Sequence, residues 1–365
     1  MRTRDQILSL SAALLLVPTS AWADTIFLTD GSMIGDCNVV TEGLLSVQYK
    51  TNKRQQEVGS DKVLMIEFDR SPQLVDRAEA ALADDQHLTA VDDFEEYIAG
   101  VIDKPPSRYK WAPAYAMYRV VEINETMGKF DEVVKAANRL LEREPDSRYV
   151  PMAFLKKAAA LSEENKESAV EKTLDQLGQI VASKGLSKRW QLELDLARLV
   201  YTANLGGAKL RDRLEEVATQ ASAEFPTVRN RADVAAAESF LAEKKLDEAA
   251  EIFERITRDP QADDRTLAAA YTGHGDCLFT KGVAMASAGE DPTAVFREAL
   301  ISYMRVVVVY KQELRYVPKA MFYAGRVYQQ STDQESQDRA QRLYVGVLRN
   351  FKGTKWANEA RGFRK

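Results

Sequence analysis

The chain has 365 residues, with 50 Lys and Arg against 55 Asp and Glu, a formal net charge of −5. That balance excludes a sequence-independent nucleic-acid binder, which needs a strong basic excess. Two cysteines, Cys37 and Cys277, are too few for a disulfide-stapled scaffold. Two buried thiols are preferred over one long-range bridge, because cysteine often serves as a small core hydrophobe.

In chain order, Arg2 and Arg4 precede the apolar run Ile7 to Val17, and Ala21-Trp22-Ala23 closes the segment. A basic start, a short apolar core and an A-x-A end predict a secretory signal peptide over 1–23, cut before Asp24. The run is too short for a membrane span, which takes about 20 residues. The alternative is a buried helix of the fold. A periplasmic or secreted location is therefore expected, peripheral to a membrane at most.

From 24 to 70 the pattern is that of short strands. "TIFL" enters "TDGS", where Asp30-Gly31 signals a tight hairpin. "MIGDCNVV", "LLSVQYK" and "SDKVLMIEF" follow, with a turn at Thr41 to Gly43. Five short strands in so few residues suit a small closed barrel, marginal alone. The run D-x-I-x-L-x-D-G-x-x-I-x-G, then Val47, Tyr49 and the strand ending "IEF", resembles small SH3-like modules. That resemblance implies a barrel that binds a peptide or packs on a neighbour, with no catalytic residues.

After Ser71-Pro72 the period becomes helical, and 73–365 reads as amphipathic helices broken by polar turns. The clearest pair spans 113–149, with Gly128 in the turn, Val133, Ala137 and Leu140 on one face, and Pro145 at the end. Nearly the same offsets recur over 231–262, 267–310 and 317–351. Gly275, Gly325 and Ala237 stand where two helices must approach closely, while Tyr303 and Tyr344 supply bulk. Fixed-period helix pairs resemble tetratricopeptide (TPR) repeats, which imply a mainly α solenoid that stands only by stacking. The rival is an irregular helical bundle. The joints "REPDSRYVPMAFLKKA", "YKQELRYVPKAMFYAGRVY" and "NFKGTKWANEA" are similar to those of envelope TPR proteins of the Tol–Pal system and of outer-membrane assembly. The region 161–224 departs from that pattern and leaves repeat count and groove continuity open.

Chemistry-bearing patterns are sparse. His274, Asp276 and Cys277 sit together in "YTGHGDCLF", but neighbours two and three apart on a helix diverge, and Cys277 falls near the apolar face. Neither a His pair at i, i+4 nor a Cys-x-x-Cys is present, and "LGGAKL" at 205–210 lacks the end of a phosphate loop. No enzyme, metal or cofactor is expected. The TPR resemblance places partner contacts on the first helix of each pair. It implies Tyr115, Tyr118 and Glu122, then Arg231 and Glu238, then Lys319, Phe322, Arg326 and Gln329. The expected role is a protein–protein scaffold that docks a peptide or helix in an envelope complex of Tol–Pal or proton-channel type. The alternative is a peptidoglycan or glycan binder.

Overall fold

The computed structural model describes residues 23–52, 54–104, 109–202 and 205–364. The expected signal peptide lies outside the described residues except for Ala23. Five strands come first: β1 (Asp24–Leu28), β2 (Met33–Glu42), β3 (Ser46–Thr51), β4 (Arg54–Gly59) and β5 (Val63–Glu67). They form one antiparallel sheet in the order β4-β3-β2-β1-β5. The β1–β2 turn is the Asp-Gly turn read from the sequence. Gly31 has φ +84°, and Asp30 Oδ1 accepts from the backbone N–H and hydroxyl of Ser32 at 2.9 and 2.6 Å. Ile26, Cys37, Val47, Tyr49, Val63 and Ile66 meet in a small core. Among the described residues β4 and β5 are not paired with each other, so this is a curled sheet rather than a closed cylinder.

Fifteen helices follow among the described residues. They are α1 (Gln73–Ala83), α2 (His87–Val101), α3 (Ala112–Thr126), α4 (Phe130–Arg143), α5 (Val150–Glu163), α6 (Glu167–Lys184), α7 (Lys188–Tyr201) and α8 (Gly207–Ala221). Then come α9 (Pro226–Ala242), α10 (Leu246–Thr257), α11 (Asp264–Ser287), α12 (Thr293–Val308), α13 (Val317–Tyr328), α14 (Gln334–Asn350) and α15 (Lys355–Arg361). Proline opens α3, α5, α9 and α13, where its missing N–H costs nothing.

Four hairpin turns share one device. Asp85, Gly128, Asn165 and Lys244 each adopt left-handed backbone two residues before the next helix. The residue after each donates its N–H five residues back, as in Gln86 to Ala81 and Lys245 to Phe240. This six-to-one bond satisfies carbonyls at the helix end and reverses the chain. Only one of the four is glycine, so the repeat is weaker in sequence than in backbone.

Hairpins close through small residues. A Cβ on Gly275 would lie 2.7 Å from the Tyr303 ring, and one on Gly325 would lie 2.7 Å from the Tyr344 ring. Both tyrosines are fully buried and bond through their hydroxyls to Asp276 and Gln329 at 2.9 and 2.8 Å. Stacking runs along the odd-numbered helices: α3 touches α5, then each touches the next through α7, α9, α11 and α13 to α15. The array is thus a mainly α, TPR-like solenoid of seven hairpins and a terminal helix. The α7–α8 pair, where the sequence departs from the repeat, continues the inner layer without a break.

The sheet leans on this array. Leu44 N donates to Asp146 O at 2.6 Å, and Arg148 N donates to Glu42 O at 3.2 Å, across the α4–α5 joint. Phe68 and Trp111 stack in parallel at 3.5 Å, and Arg189 Nη1 reaches Asp61 O at 2.5 Å. A buried ion pair locks the seam: Arg148 Nε donates to Glu42 Oε2 at 2.6 Å, with side chains 5% and 3% exposed. Tyr149 OH adds a 3.1 Å bond to the same oxygen, while Glu42 Oε1 has no partner among the described residues. Burial pushes the Glu42 carboxyl up from its ordinary pKa despite Arg148.

Candidate functional site

Because the odd-numbered helices line the inside of the curve, their side chains converge on a cavity of about 300 Å³. Its wall draws on α3, α5, α7, α9, α11 and the segment entering α13. Glu125 on α3 is the central group, 9% exposed. Lys156 Nζ on α5 donates to it at 2.6 Å, and Arg265 at the start of α11 gives it a two-pronged pair at 3.1 and 2.8 Å. Burial alone would raise this carboxyl, but the two cations outweigh that and hold its pKa well below the usual range. Arg231 on α9 bonds Glu193 on α7 at 2.6 Å, and Arg315 before α13 bonds Glu163 at 2.5 Å.

Between these charges lie Trp190, Tyr201 and Tyr316, with Tyr118 stacked on Tyr149 at 4.8 Å behind it. Glu238 also opens into the cavity, with no hydrogen bond from any described residue. Its side chain reaches solvent, yet the concave wall crowds it, and that partial dehydration raises its pKa against Lys319 and Arg315.

Three of the nine expected contact residues, Tyr118, Arg231 and Glu238, line this cavity. The others are committed elsewhere. Tyr115 OH bonds Glu79 at 2.6 Å, and Glu122 pairs with Arg119 at 2.9 Å while its other oxygen lies 3.9 Å from Lys156 at the cavity edge. Phe322 is 3% exposed and packs between Tyr344, Trp356 and Phe363. Arg326 lies 4.6 Å from the Phe363 ring, Lys319 pairs with Asp276 at 2.5 Å, and Gln329 accepts from Tyr344. In the last hairpin, Trp356 of α15 and the following Phe363 cover Phe322 and Arg326, while Lys319 and Gln329 are tied to Asp276 of α11 and Tyr344 of α14. Sequence reasoning missed Glu125, Lys156, Glu193, Arg265 and Arg315. The signal available was acidic residues set among apolar ones, as in "VVEINET" and "WQLELDL".

Reactive side chains are held apart from this cavity. Cys37 and Cys277 are free, buried and in different apolar clusters. Burial pushes their thiols up to about 11 and about 12, so neither is a thiolate at neutral pH. His274 Nδ1 lies 3.0 Å from Ser302 Oγ, and burial lowers its pKa from the ordinary imidazole value. Among the described residues no group of His, Cys, Asp and Glu is placed to hold a metal ion, and no helix is long and apolar enough to cross a membrane.

Fold and cavity together define a TPR-like helical-hairpin solenoid with an antiparallel sheet packed on its side. No family model and no curated protein matches the chain. Among solved structures it is similar to a tetratricopeptide repeat protein from Parabacteroides merdae ATCC 43184. The identity is 12% and the TM-score 0.41, over 80% of this chain and 97% of that one.

Proposed function

We propose that the protein is a non-enzymatic interaction scaffold that takes a segment of a protein partner into the concave cavity. The observation that carries this reading is the convergence of five helices and the segment entering α13 on one polar, aromatic-lined hollow. Aromatic side chains beside pre-oriented Arg and Lys groups suit an extended chain, which offers amide, carboxylate and ring partners along its length. The secretory pattern at the N-terminus supports export to a bacterial envelope. The joint motifs support a place in a complex of Tol–Pal or proton-channel type. The curled sheet, whose sequence resembles SH3-like modules, props the α4–α5 joint and offers a second contact face.

The test is affinity capture from envelope extracts with the full chain and with Arg231→Ala and Glu238→Lys. Loss of the same captured partner in both variants, with native helical content, is the expected outcome. An unchanged partner set in both would end the cavity reading. Retention on purified peptidoglycan, lost with Trp190→Ala, would instead favour the glycan reading.

A further inference from the structure

The first and last parts of the array meet across the cavity, and they do so through charge. Asp85, in the α1–α2 turn, accepts from Lys311 Nζ at 3.3 Å and from Gln312 Nε2 at 2.6 Å, a contact between residues 227 positions apart. Glu163 at the end of α5 accepts from Arg315, 152 positions on. Glu125 accepts from Arg265, 140 positions on. None of the buried apolar clusters among the described residues contains side chains of both α1–α6 and α9–α14. The first arm's core ends in α7, and a separate cluster carries the chain through α8 to α9.

We propose that these three contacts form an electrostatic clasp, and that bending at the α7–α8 pair opens and closes the cavity. Engaged, the clasp holds the solenoid as a nearly closed turn. Released, it separates Tyr118 and Lys156 on one arm from Arg265 and Tyr316 on the other, which parts the cavity wall. The outer contacts are accessible to ions: Asp85 and Lys311 are 51% and 60% exposed, Glu163 and Arg315 40% and 32%. Charges that exposed are screened within about 10 Å at 0.1 M salt and about 3 Å at 1 M, whereas apolar stacking inside each arm is not weakened by such salt. The clasp deepens the scaffold reading by naming how a segment would enter.

The experiment needs no partner, so its outcome is separate from that of partner capture. Leu88 and Val309 flank the outer contact and are 59% and 64% exposed. Leu88→Cys and Val309→Cys in the full chain carry spin labels for distance measurement by pulsed electron resonance. At low salt a single short distance is expected. It shifts to a longer, broader distribution at about 1 M NaCl. The same shift is expected with Glu163→Arg, and Arg315→Glu added to that variant restores the short distance. An unchanged distribution at high salt overturns the clasp, even where a charge variant fails to fold by circular dichroism. Failure of the charge swap to restore the short distance in a folded double variant overturns it as well.

Discussion

Arg148→Ala tests the seam between sheet and array. The substitution removes three donations: to Glu42 Oε2 at 2.6 Å, to Tyr149 OH at 3.1 Å and to Val63 O at 3.4 Å. It leaves a carboxylate that is 3% exposed with its charge uncompensated. Breaking a buried pair from one side costs about 3–5 kcal/mol. Glu42 is already raised toward protonation by burial, so it sheds its charge on losing Arg148, which places the cost near the low end. The sheet has six buried apolar side chains of its own, too few to hold it folded once undocked. Local opening is therefore expected to expose β1 to β5 together. A loss of about 3 kcal/mol is roughly two orders of magnitude in the opening equilibrium, read as faster amide hydrogen exchange over 24–67. Exchange in α9 to α14 should not change. Glu42→Leu with Arg148→Met should recover most of the loss, since apolar replacement removes both desolvation costs. Less than about threefold faster exchange in Arg148→Ala, or no recovery in the double variant, would refute the reasoning.

Gly325→Ala should destabilise by about 1–2 kcal/mol, because the cost of forcing the buried Tyr344 ring aside exceeds the helix-propensity gain of about 1 kcal/mol. Thermal melting of this variant against Gly100→Ala, a helical glycine with open space at its Cβ, isolates the steric part. Glu125 has its folded pKa depressed, so its contribution is present above the ordinary value of 4.5 and lost as pH falls below it. Melting midpoints of Glu125→Gln should accordingly be lower than wild type at neutral pH and converge with it in acid. A constant gap across that range would count against the pairing with Lys156 and Arg265.

Much of the architecture was legible because it is local. The Asp30-Gly31 hairpin depends on adjacent residues, and the Gly275 and Gly325 packing positions depend on partners within the same helical hairpin. The left-handed turns were read at Gly128 but not at Asp85, Asn165 or Lys244, where a side chain accepts a strained φ that glycine would adopt freely. Tyr118, Arg231 and Glu238 line the cavity because first helices face inward in such a stack. Phe322 and Arg326 do not, because Trp356 and Phe363 cover them, and no periodicity within 317–351 carries that fact.

By itself, then, the sequence determined the unit: a short-strand module followed by helical hairpins whose small and large residues interlock. Only the tertiary structure decided how the units curve, and thus that Glu125 meets Arg265 and Asp85 meets Gln312. The reason is geometric. Curvature is a sum of small rotations at every hairpin interface, set by side-chain shape at each contact. An error of a few degrees per repeat would move partners 140 or 227 residues apart out of reach.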